Sequence, residues 1–260
     1  MSHNNFSTRT IISEEFTSQI CLVTGGAQGI GLAVVRDLVH RGAKVAIIDI
    51  VDATEIAAQF DGDVAAWSVD VRDRDQVRDC VKEVVQHFGR LDVVVNNAGT
   101  AARIDLEDMD NETWDRDIAT NLKGTYLFTQ AAIYPFMRDQ GYGRIINVSS
   151  ISGIMGGPLS SGEQGKRSGP AYAASKGGII AFTKWVAKEV GAFGITVNSV
   201  APGPVATAQT NNFEYPLDNQ VIKRMGEPDD IAAAVTYLAS PRAGFVTGET
   251  LKVCGGSAIG

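Results

Sequence analysis

The sequence contains few of the residues that build disulfide frameworks, metal sites or membrane spans. It has three cysteines and three histidines in 260 residues. The cysteines lie far apart, so neither a disulfide framework nor a metal knuckle is indicated. The histidines show no ligand spacing, and no apolar run approaches the ~20 residues that a bilayer-spanning helix needs. We therefore expect no metal site and no membrane association.

Positive charge is also scarce. The chain carries 23 basic and 30 acidic side chains, which gives a formal net charge of −7. Without a stripe rich in lysine and arginine, nucleic-acid binding is not expected. The polar opening stretch, residues 1–13, lacks the apolar centre of a secretory signal. With 44% hydrophobic and 20% charged residues, the composition predicts a globular protein of a reducing, cytoplasmic compartment.

Short apolar runs alternate with longer stretches of helical periodicity. The runs predict strands at 20–24, 45–49, 64–69, 91–96, 144–148, 196–200 and 250–253. Several runs are continuously apolar, which is typical of strands covered on both faces. Helices are predicted at 111–140, 171–192 and 229–239, among others. Repeated strand–helix–strand order predicts an α/β fold with a parallel sheet between two layers of helices.

No linker or repeat divides the chain. We therefore predict a single dinucleotide-binding and catalytic domain at 18–260, preceded by a flexible leader at 1–17. Two long loops are predicted at 153–170 and 202–227, and both leave the carboxyl ends of strands. Ligands bind at those ends in doubly wound sheets, so the two loops are candidate parts of a site.

A glycine-rich turn follows the first predicted strand. Gly25, Gly29 and Gly31 permit a sharp bend, close approach of the backbone to a pyrophosphate, and close packing of the next helix. The start of that helix offers free N–H groups to phosphates. Asp49 ends the second strand, 18 positions after Gly31, where a carboxylate can accept hydrogen bonds from ribose hydroxyls. The pattern predicts a dinucleotide site.

The same aspartate predicts which dinucleotide binds. The Asp49 carboxylate would face the additional phosphate of NADP, and at ~4 Å and an effective dielectric of ~20 the repulsion is roughly 4 kcal/mol. A basic side chain nearby could offset this repulsion, but the residues at the candidate positions, Gln28 and Ile50, are not basic. We therefore predict NAD as the cofactor. Asp70, which ends the third strand, is placed to meet the adenine, although a plain turn-forming aspartate is nearly as well supported.

Tyr172 and Lys176 form a candidate acid/base pair. A spacing of four places both side chains on one face of a predicted helix. A nearby ammonium favours the phenolate, so we expect Lys176 to lower the pKa of Tyr172. The fifth strand ends in serines that could hydrogen-bond a substrate oxygen. Asn121 lies in a helical segment, where asparagine has poor propensity, and either a functional or a helix-kinking role fits it.

These motifs together resemble the short single-domain branch of the short-chain dehydrogenase/reductase family. The resemblance covers roughly 20–256 and is carried by 24–31, 96–99, Ser150, Tyr172, Lys176 and the pair Pro202 and Gly203. It implies a Rossmann-type doubly wound sheet of seven mainly parallel strands. It implies Tyr172 as acid/base and Lys176 as the residue that binds the nicotinamide ribose and tunes Tyr172. Ser150 would orient the substrate oxygen, and Asn121 would hold a water for proton relay.

The resemblance also implies the cofactor-binding residues and an assembly. The cofactor would be bound by Gly25, Gln28, Gly29, Ile30, Gly31, Asp49, Asp70, Val71, Asn97, Ala98, Gly99, Tyr172, Lys176, Pro202, Gly203, Val205 and Thr207. Members of the family are mostly tetramers, so a homotetramer is expected through the long helices and the last strand. Apolar residues of the second long helix could serve that interface or the core: Ile179, Phe182, Trp185 and Val186.

The predicted function is that of an NAD-dependent oxidoreductase that interconverts a secondary alcohol and its ketone. The substrate would be a polyol, sugar alcohol, diol or cyclic alcohol. One alternative is a 3-oxoacyl-thioester reductase using NADPH, against which Asp49 and Gln28 weigh. Another is a nucleotide-sensing binding protein, which is disfavoured because Tyr172 and Lys176 are both present.

The sequence departs from the family pattern in two places. The spacing between Ser150 and Tyr172 is several residues longer than is usual in the family, and the additional residues fall in 158–170. Cys254 is interpreted as a packed or interface residue.

Overall fold

A computed structural model describes residues 15–157, 168–208, 210, 215, 217–218 and 220–259. Residues 1–14 of the predicted leader and 158–167 of the predicted insertion lie outside the described residues. The bounds of the single domain therefore stay a prediction. In the described part of the chain, no helix is both long and apolar enough to cross a bilayer.

The described strands form one parallel sheet in the order β3-β2-β1-β4-β5-β6-β7. They are β1 (Ile20–Thr24), β2 (Lys44–Asp49), β3 (Val64–Ser68), β4 (Val93–Asn96), β5 (Gly143–Val148), β6 (Ile195–Pro202) and β7 (Thr250–Val253). The strand order reverses between β1 and β4, which opens a crevice at their carboxyl ends. The predicted Rossmann-type doubly wound fold is confirmed.

Helices cover both faces of this sheet. Over the described residues they are α1 (Gly29–His40), α2 (Thr54–Ala57), α3 (Arg74–Phe88), α4 (Asn111–Asp117), α5 (Gly124–Ala132), α6 (Arg138–Gln140), α7 (Ser152–Met155), α8 (Pro170–Val190) and α9 (Pro228–Ala239). Several ends follow local chemistry. The Asp73 side chain, for example, caps α3 by accepting hydrogen bonds from two amides, and Gly89 ends the same helix with a φ of 89°.

The central strands are buried on both faces, which explains their continuously apolar sequences. In β1, Cys21 and Val23 face an apolar layer that includes α1 and α9. Ile20 and Leu22 face the opposite layer, which includes α3, α5 and α8. Each fully buried aliphatic side chain of this kind contributes roughly 1.5–3 kcal/mol. The two layers thereby hold the carboxyl ends of the strands in fixed positions.

The segment predicted as one helix at 111–140 is interrupted. Wider π-helical turns at Ile118–Lys123 and Ile133–Met137 separate α4, α5 and α6. In the first, the Thr125 hydroxyl donates to the Asn121 carbonyl oxygen at 2.7 Å. In the second, Tyr134 leaves helical geometry just before Pro135, which has no amide N–H to donate. The helical segment predicted at 111–140 therefore has the predicted bounds, but its geometry changes at two π-helical turns and it is kinked at Tyr134.

The apolar residues of α8 divide between the core and the surface. Ile179 and Val186 are buried, whereas the Trp185 side chain is 64% exposed. Phe182 is partly buried against the second apolar layer. Ile179 and Val186 are thus explained by the core, and the expected homotetramer stays a prediction.

Gly153 allows α7 to touch the backbone of α8. A Cβ atom at Gly153 would lie 2.5 Å from the backbone of both Lys176 and Gly177. We expect Gly153→Ala to lower the free energy of unfolding by about 1–3 kcal/mol, the usual cost of overpacking. Gly191→Ala is the matched control, because its Cβ meets nothing within 4 Å and its φ is −55°. Urea unfolding measures both, and equal stabilities of the two variants would contradict the close contact.

Candidate active site

The carboxyl ends of the strands surround a cavity of about 870 Å³. Of the predicted cofactor-binding residues, all but Gly31 line this cavity, and the predicted catalytic residues Ser150, Tyr172 and Lys176 line it as well. Asn121 does not. The sequence-predicted site is therefore brought together around one space, although the roles of its residues stay predictions.

The glycine turn has the geometry that a dinucleotide needs. Gly25 and Gly29 have φ values of +62° and +55°, a region that favours glycine. A Cβ at Gly31 would lie 2.0 Å from the Gly25 carbonyl oxygen, so Gly31 is required for packing rather than for lining the cavity. Gln28 precedes α1 without a side-chain cap. The first amides of α1 are thus left without a capping side chain and fit a pyrophosphate group.

Asn97 braces this turn from the end of β4. Its side-chain amide donates to the carbonyl oxygens of Thr24 and Gly25, each at 3.0 Å. In return, the Thr24 hydroxyl accepts hydrogen bonds from the amides of Asn97 and Ala98, also at 3.0 Å. The side chain of Asn97 therefore fixes the glycine turn against β4 at the point where the strand order reverses.

Asp49 lies at the edge of the cavity and is held by backbone amides. One carboxylate oxygen accepts from Ala27 at 3.1 Å and the other from Ile50 at 2.8 Å. The Ile50 residue beside it is 63% exposed. Among the described lining residues nearby, Gln28 and Ile50 carry no charge. The position of Asp49 therefore fits a ribose and opposes an additional phosphate.

Asp70 is engaged by Arg72. The Arg72 guanidinium donates to the Asp70 carboxylate, with the shortest bond at 2.6 Å, and this hydrogen bonding lowers the pKa of Asp70. Both residues line the cavity. The predicted contact of Asp70 with adenine stays a prediction, and the Arg72 charge is already balanced by Asp70.

Lys176 and Ser150 flank Tyr172. Lys176 is only 4% exposed, and its Nζ donates to the carbonyl oxygen of Val148, the last residue of β5, at 2.8 Å. Burial lowers the pKa of Lys176 to about 8. The Ser150 hydroxyl hydrogen-bonds Tyr172. The neighbouring Ser149 hydroxyl is instead bonded to Ser199 at 2.6 Å. The role predicted for Ser150 stays a prediction.

The expectation for the pKa of Tyr172 is wrong in direction. Burial raises the pKa of Tyr172 above its ordinary value of 10, and the hydrogen bond from Ser150 only partly offsets this. The Lys176 ammonium lies 5.6 Å from the centre of the tyrosine ring and is directed to Val148. The sequence pattern showed the proximity of the two groups, but it could not show that burial would dominate the pKa of Tyr172.

Asn121 lies behind the cavity in the first π-helical turn. Its side-chain oxygen accepts from the Thr100 amide at 2.8 Å, and its nitrogen donates to the Thr100 carbonyl and the Ser175 hydroxyl, each at 2.9 Å. A Cβ at Gly99 would lie 3.1 Å from Asn121 Oδ1 and 3.5 Å from Lys176 Nζ. Asn121 and Lys176 thus approach the same small space. The water that Asn121 would hold stays a prediction.

The strand-end loops after β6 complete the wall. The Thr210 hydroxyl donates to the Val205 carbonyl at 2.6 Å and accepts from the Thr207 amide at 2.8 Å, which fixes both predicted residues. Cys254 is buried, and a Cβ at Gly203 would lie 2.8 Å from its Cα. The part of the chain that the structure describes has no cluster of three metal-binding side chains.

The sequence reasoning missed three polar residues at this site. Arg103 and Tyr215 line the cavity, and the Arg103 guanidinium donates to the Tyr215 hydroxyl. Asp117 is fully buried beside them and binds the segment that carries Arg103. Two signals were present. Arg103 closely follows the end of β4, and Asp117 precedes Asn121 by four positions, which places both on one helical face.

Comparison with known proteins shows the family. A family model described as Enoyl-(Acyl carrier protein) reductase matches residues 25–258. The chain belongs to the short-chain dehydrogenase/reductase family, whose members bind a nicotinamide cofactor and act as oxidoreductases on small molecules. The expected family is thus confirmed, and the cofactor class follows from it.

Individual relatives are similar over nearly their whole length. The 3-oxoacyl-[acyl-carrier-protein] reductase FabG of Thermotoga maritima is 39% identical over 93% of this chain and 98% of its own. The (2S)-[(R)-hydroxy(phenyl)methyl]succinyl-CoA dehydrogenase subunit BbsD of Thauera aromatica is 35% identical over 93% and 97%. The crystal structure of gox2181 has a TM-score of 0.86 and 31% identity, over 93% of this chain and 96% of that one.

The prediction of a polyol, sugar-alcohol, diol or cyclic-alcohol dehydrogenase is contradicted. The Thermotoga relative and others at 38% identity are named 3-oxoacyl-[acyl-carrier-protein] reductases, which was the alternative. The error has a physical reason. The argument against a thioester reductase used Asp49, which is bonded to Ala27 of the glycine turn and therefore bears on the cofactor rather than on the substrate. Cofactor preference and substrate class are set by different residues.

The lowered pKa of Lys176 gives a signed prediction for stability. At pH 7, Lys176 is protonated in both the folded and the unfolded protein, and the free-energy cost of burying its ammonium is fully present. Between about 8 and 10.5 the folded state loses its proton first, so the cost is relieved as pH rises. Lys176→Met should be most stable relative to the wild type at pH 7, and the difference should fall by about 3 kcal/mol toward pH 10.5.

Urea unfolding of both proteins across this pH range measures the effect. Lys188→Met is the matched control, because Lys188 is exposed near the end of the same helix. A constant difference between Lys176→Met and the wild type would contradict the lowered pKa of Lys176.

Proposed function

We propose that the protein reduces the ketone of a 3-oxoacyl thioester to a 3-hydroxyacyl thioester. The observation that carries the proposal is the convergence of the Ser150 hydroxyl, the Tyr172 hydroxyl and the Lys176 ammonium on one cavity. This arrangement suits a reaction in which a carbonyl oxygen gains a proton. The names of the relatives select the substrate class, because they specify acyl-carrier-protein and coenzyme A thioesters.

The raised pKa of Tyr172 supports the reductive direction. A reduced nicotinamide would supply the hydride. The ketone oxygen then acquires negative charge, which a protonated phenol can neutralise and a serine hydroxyl can stabilise. The phenol of Tyr172, whose pKa burial raises further above its ordinary value of 10, carries its proton at neutral pH. The Lys176 ammonium, with a pKa of about 8, is also protonated there and can bind ribose hydroxyls.

Apolar side chains near the cavity entrance fit an acyl chain. Met155 lines the cavity and is 55% exposed, and the adjoining Ile154 is 48% exposed. Val221 and Ile222 are also exposed, at 66% and 57%, beside the lining residue Gln220. Water-exposed apolar groups of this kind gain free energy when a hydrocarbon chain covers them.

For the cofactor, we infer NADH. The support is electrostatic, because the buried Asp49 carboxylate has uncharged Gln28 and Ile50 beside it and Arg72 is bound to Asp70. A phosphate at the adenosine ribose would meet that carboxylate without a compensating cation from these residues. The opposing consideration is that 3-oxoacyl-thioester reductases commonly use NADPH, so the preference is tested separately below.

The first test uses acetoacetyl-CoA as the probe, with the loss of NADH absorbance as the measurement. Tyr172→Phe should reduce kcat by about 10²–10⁴-fold, because the proton donor is removed, while NADH binding stays nearly unchanged. Tyr237→Phe is the control, since Tyr237 is 47% exposed on α9. Failure of the wild type to oxidise either NADH or NADPH with this thioester would refute the proposed function, and full activity in Tyr172→Phe would remove Tyr172 from the reaction.

The second test addresses the cofactor. Wild-type kcat/KM should be larger with NADH than with NADPH. Asp49→Asn keeps a polar side chain but removes the charge, so the ratio of the two kcat/KM values should fall by up to about a thousandfold. Asp52→Asn, at an exposed aspartate three residues further on, should leave the ratio unchanged. A wild-type preference for NADPH would overturn the inference from Asp49.

A further inference from the structure

Asp117 and Asn121 hold the segment 100–104 at four points. The Asp117 carboxylate accepts from the Thr100 hydroxyl and from the Ala102 amide, each at 2.8 Å. The Asn121 side chain bonds the Thr100 amide and carbonyl at 2.8 and 2.9 Å. Asp117 is fully buried and its charge is paired with Arg116 at 3.1 Å. A buried carboxylate with these partners strongly orders the groups it binds.

The same segment is fastened to the beginning of the helix that carries Tyr172. The Ala102 carbonyl accepts a hydrogen bond from the Gly169 amide at 2.9 Å, and Gly169 is the residue that precedes α8. A Cβ at Gly169 would lie 2.5 Å from the Ala102 oxygen. The Ala102 residue is therefore bound on one side by Asp117 and on the other by the start of α8, three positions before Tyr172.

The segment held by Asp117 and Asn121 also forms part of the cavity wall. Thr100 and Ala101 line the cavity, and Arg103 follows directly after Ala102 with its guanidinium bonded to Tyr215. Any release of the segment would thus move the start of α8, the cavity wall and the Arg103 side chain together. A displacement of about 1 Å in a positioning element is enough to reduce a rate by as much as about a hundredfold.

We propose that Asp117 is a positioning residue for the acid/base tyrosine, acting through the Ala102–Gly169 hydrogen bond. Asp117 does not line the cavity. The inference rests on the proposed function only in taking Tyr172 as the proton donor. It adds that Asp117 and Asn121, one helical turn apart on the same helical face, bind the same segment, so that the π-helical turn and the start of α8 keep a fixed spacing.

The Asp117 charge also faces Tyr172. The groups acting on the tyrosine hydroxyl are Ser150, Tyr215, Arg103 and Asp117, with Lys176 one helical turn away. Burial is the main cause of the raised pKa of Tyr172, and the negative charge of Asp117 adds to it. Removal of this charge should therefore lower the pKa of Tyr172, which a purely structural role for Asp117 would not do.

Two substitutions separate hydrogen bonding from charge. Asp117→Asn can still accept from the Ala102 amide and can donate to the Thr100 hydroxyl oxygen, while Arg116, which is 45% exposed, can turn to solvent. Asp117→Ala loses both bonds. Asp115→Ala is the matched control, because Asp115 is exposed on the same helix. Circular dichroism and thermal unfolding establish that each variant is folded.

The measurements are kcat with acetoacetyl-CoA and the pH at which Tyr172 ionises, followed by the ultraviolet absorbance of phenolate. Asp117→Ala should lose about tenfold to a hundredfold in kcat. Asp117→Asn should retain most of the wild-type kcat, but its Tyr172 should ionise at a lower pH than in the wild type, because a negative charge that raises the pKa of Tyr172 has been removed. Asp115→Ala should match the wild type in both respects.

Three results would contradict the inference. They are a wild-type kcat in Asp117→Ala, an equal loss in Asp117→Asn and Asp117→Ala, and an unchanged ionisation of Tyr172 in Asp117→Asn. If Asp117→Ala does not fold, the ionisation of Tyr172 in Asp117→Asn decides.

The ionisation measurement also separates this inference from the proposed function. The ultraviolet absorbance of phenolate, taken as the difference from the corresponding Tyr172→Phe protein, follows the ionisation of Tyr172 without any substrate. The lower pKa expected in Asp117→Asn can thus be measured even if the wild type does not reduce the thioester. Identical ionisation of Tyr172 in the wild type and Asp117→Asn would overturn the effect of the charge.

Discussion

The site depends on one buried cation. Lys176 Nζ is almost entirely removed from solvent and donates to the last carbonyl of β5. This bond joins α8 to the carboxyl end of the sheet, close to the point where Ser150 follows the same strand. Because Tyr172 lies one helical turn before Lys176, the bond also determines where the phenol stands relative to Ser150. Burial of an ammonium is costly, and the lowered pKa of Lys176 records that cost.

The arrangement favours the proton-donating form of the tyrosine. Burial, Tyr215 and the negative charge of Asp117 raise the pKa of Tyr172, and the Ser150 hydrogen bond and the Arg103 charge oppose them. A phenol that keeps its proton is suited to neutralise the oxygen of a ketone as it is reduced. The electrostatics of the chain and the names of its relatives therefore support the same direction of reaction.

Local chemistry made much of the fold and site predictable. Continuous apolar runs such as 20–24 and the glycine turn at 24–31 identify a parallel sheet and a dinucleotide turn, because strand burial and positive φ leave direct marks in sequence. The π-helical turns around Asn121 and the Ala102–Gly169 bond depend on tertiary contacts. They have no periodic signature. The raised pKa of Tyr172 could not be predicted either, since it reflects the balance between burial and charge in three dimensions.

The central claim is that this site delivers hydride to a ketone within an acyl thioester. It is tested most directly with acetoacetyl-CoA and a reduced nicotinamide cofactor deuterated at the transferring position, followed by mass spectrometry of the product. The account predicts a 3-hydroxybutyryl thioester that carries deuterium at C3. Absence of label from that product, with label found instead only when an unsaturated acyl thioester is supplied, would contradict it.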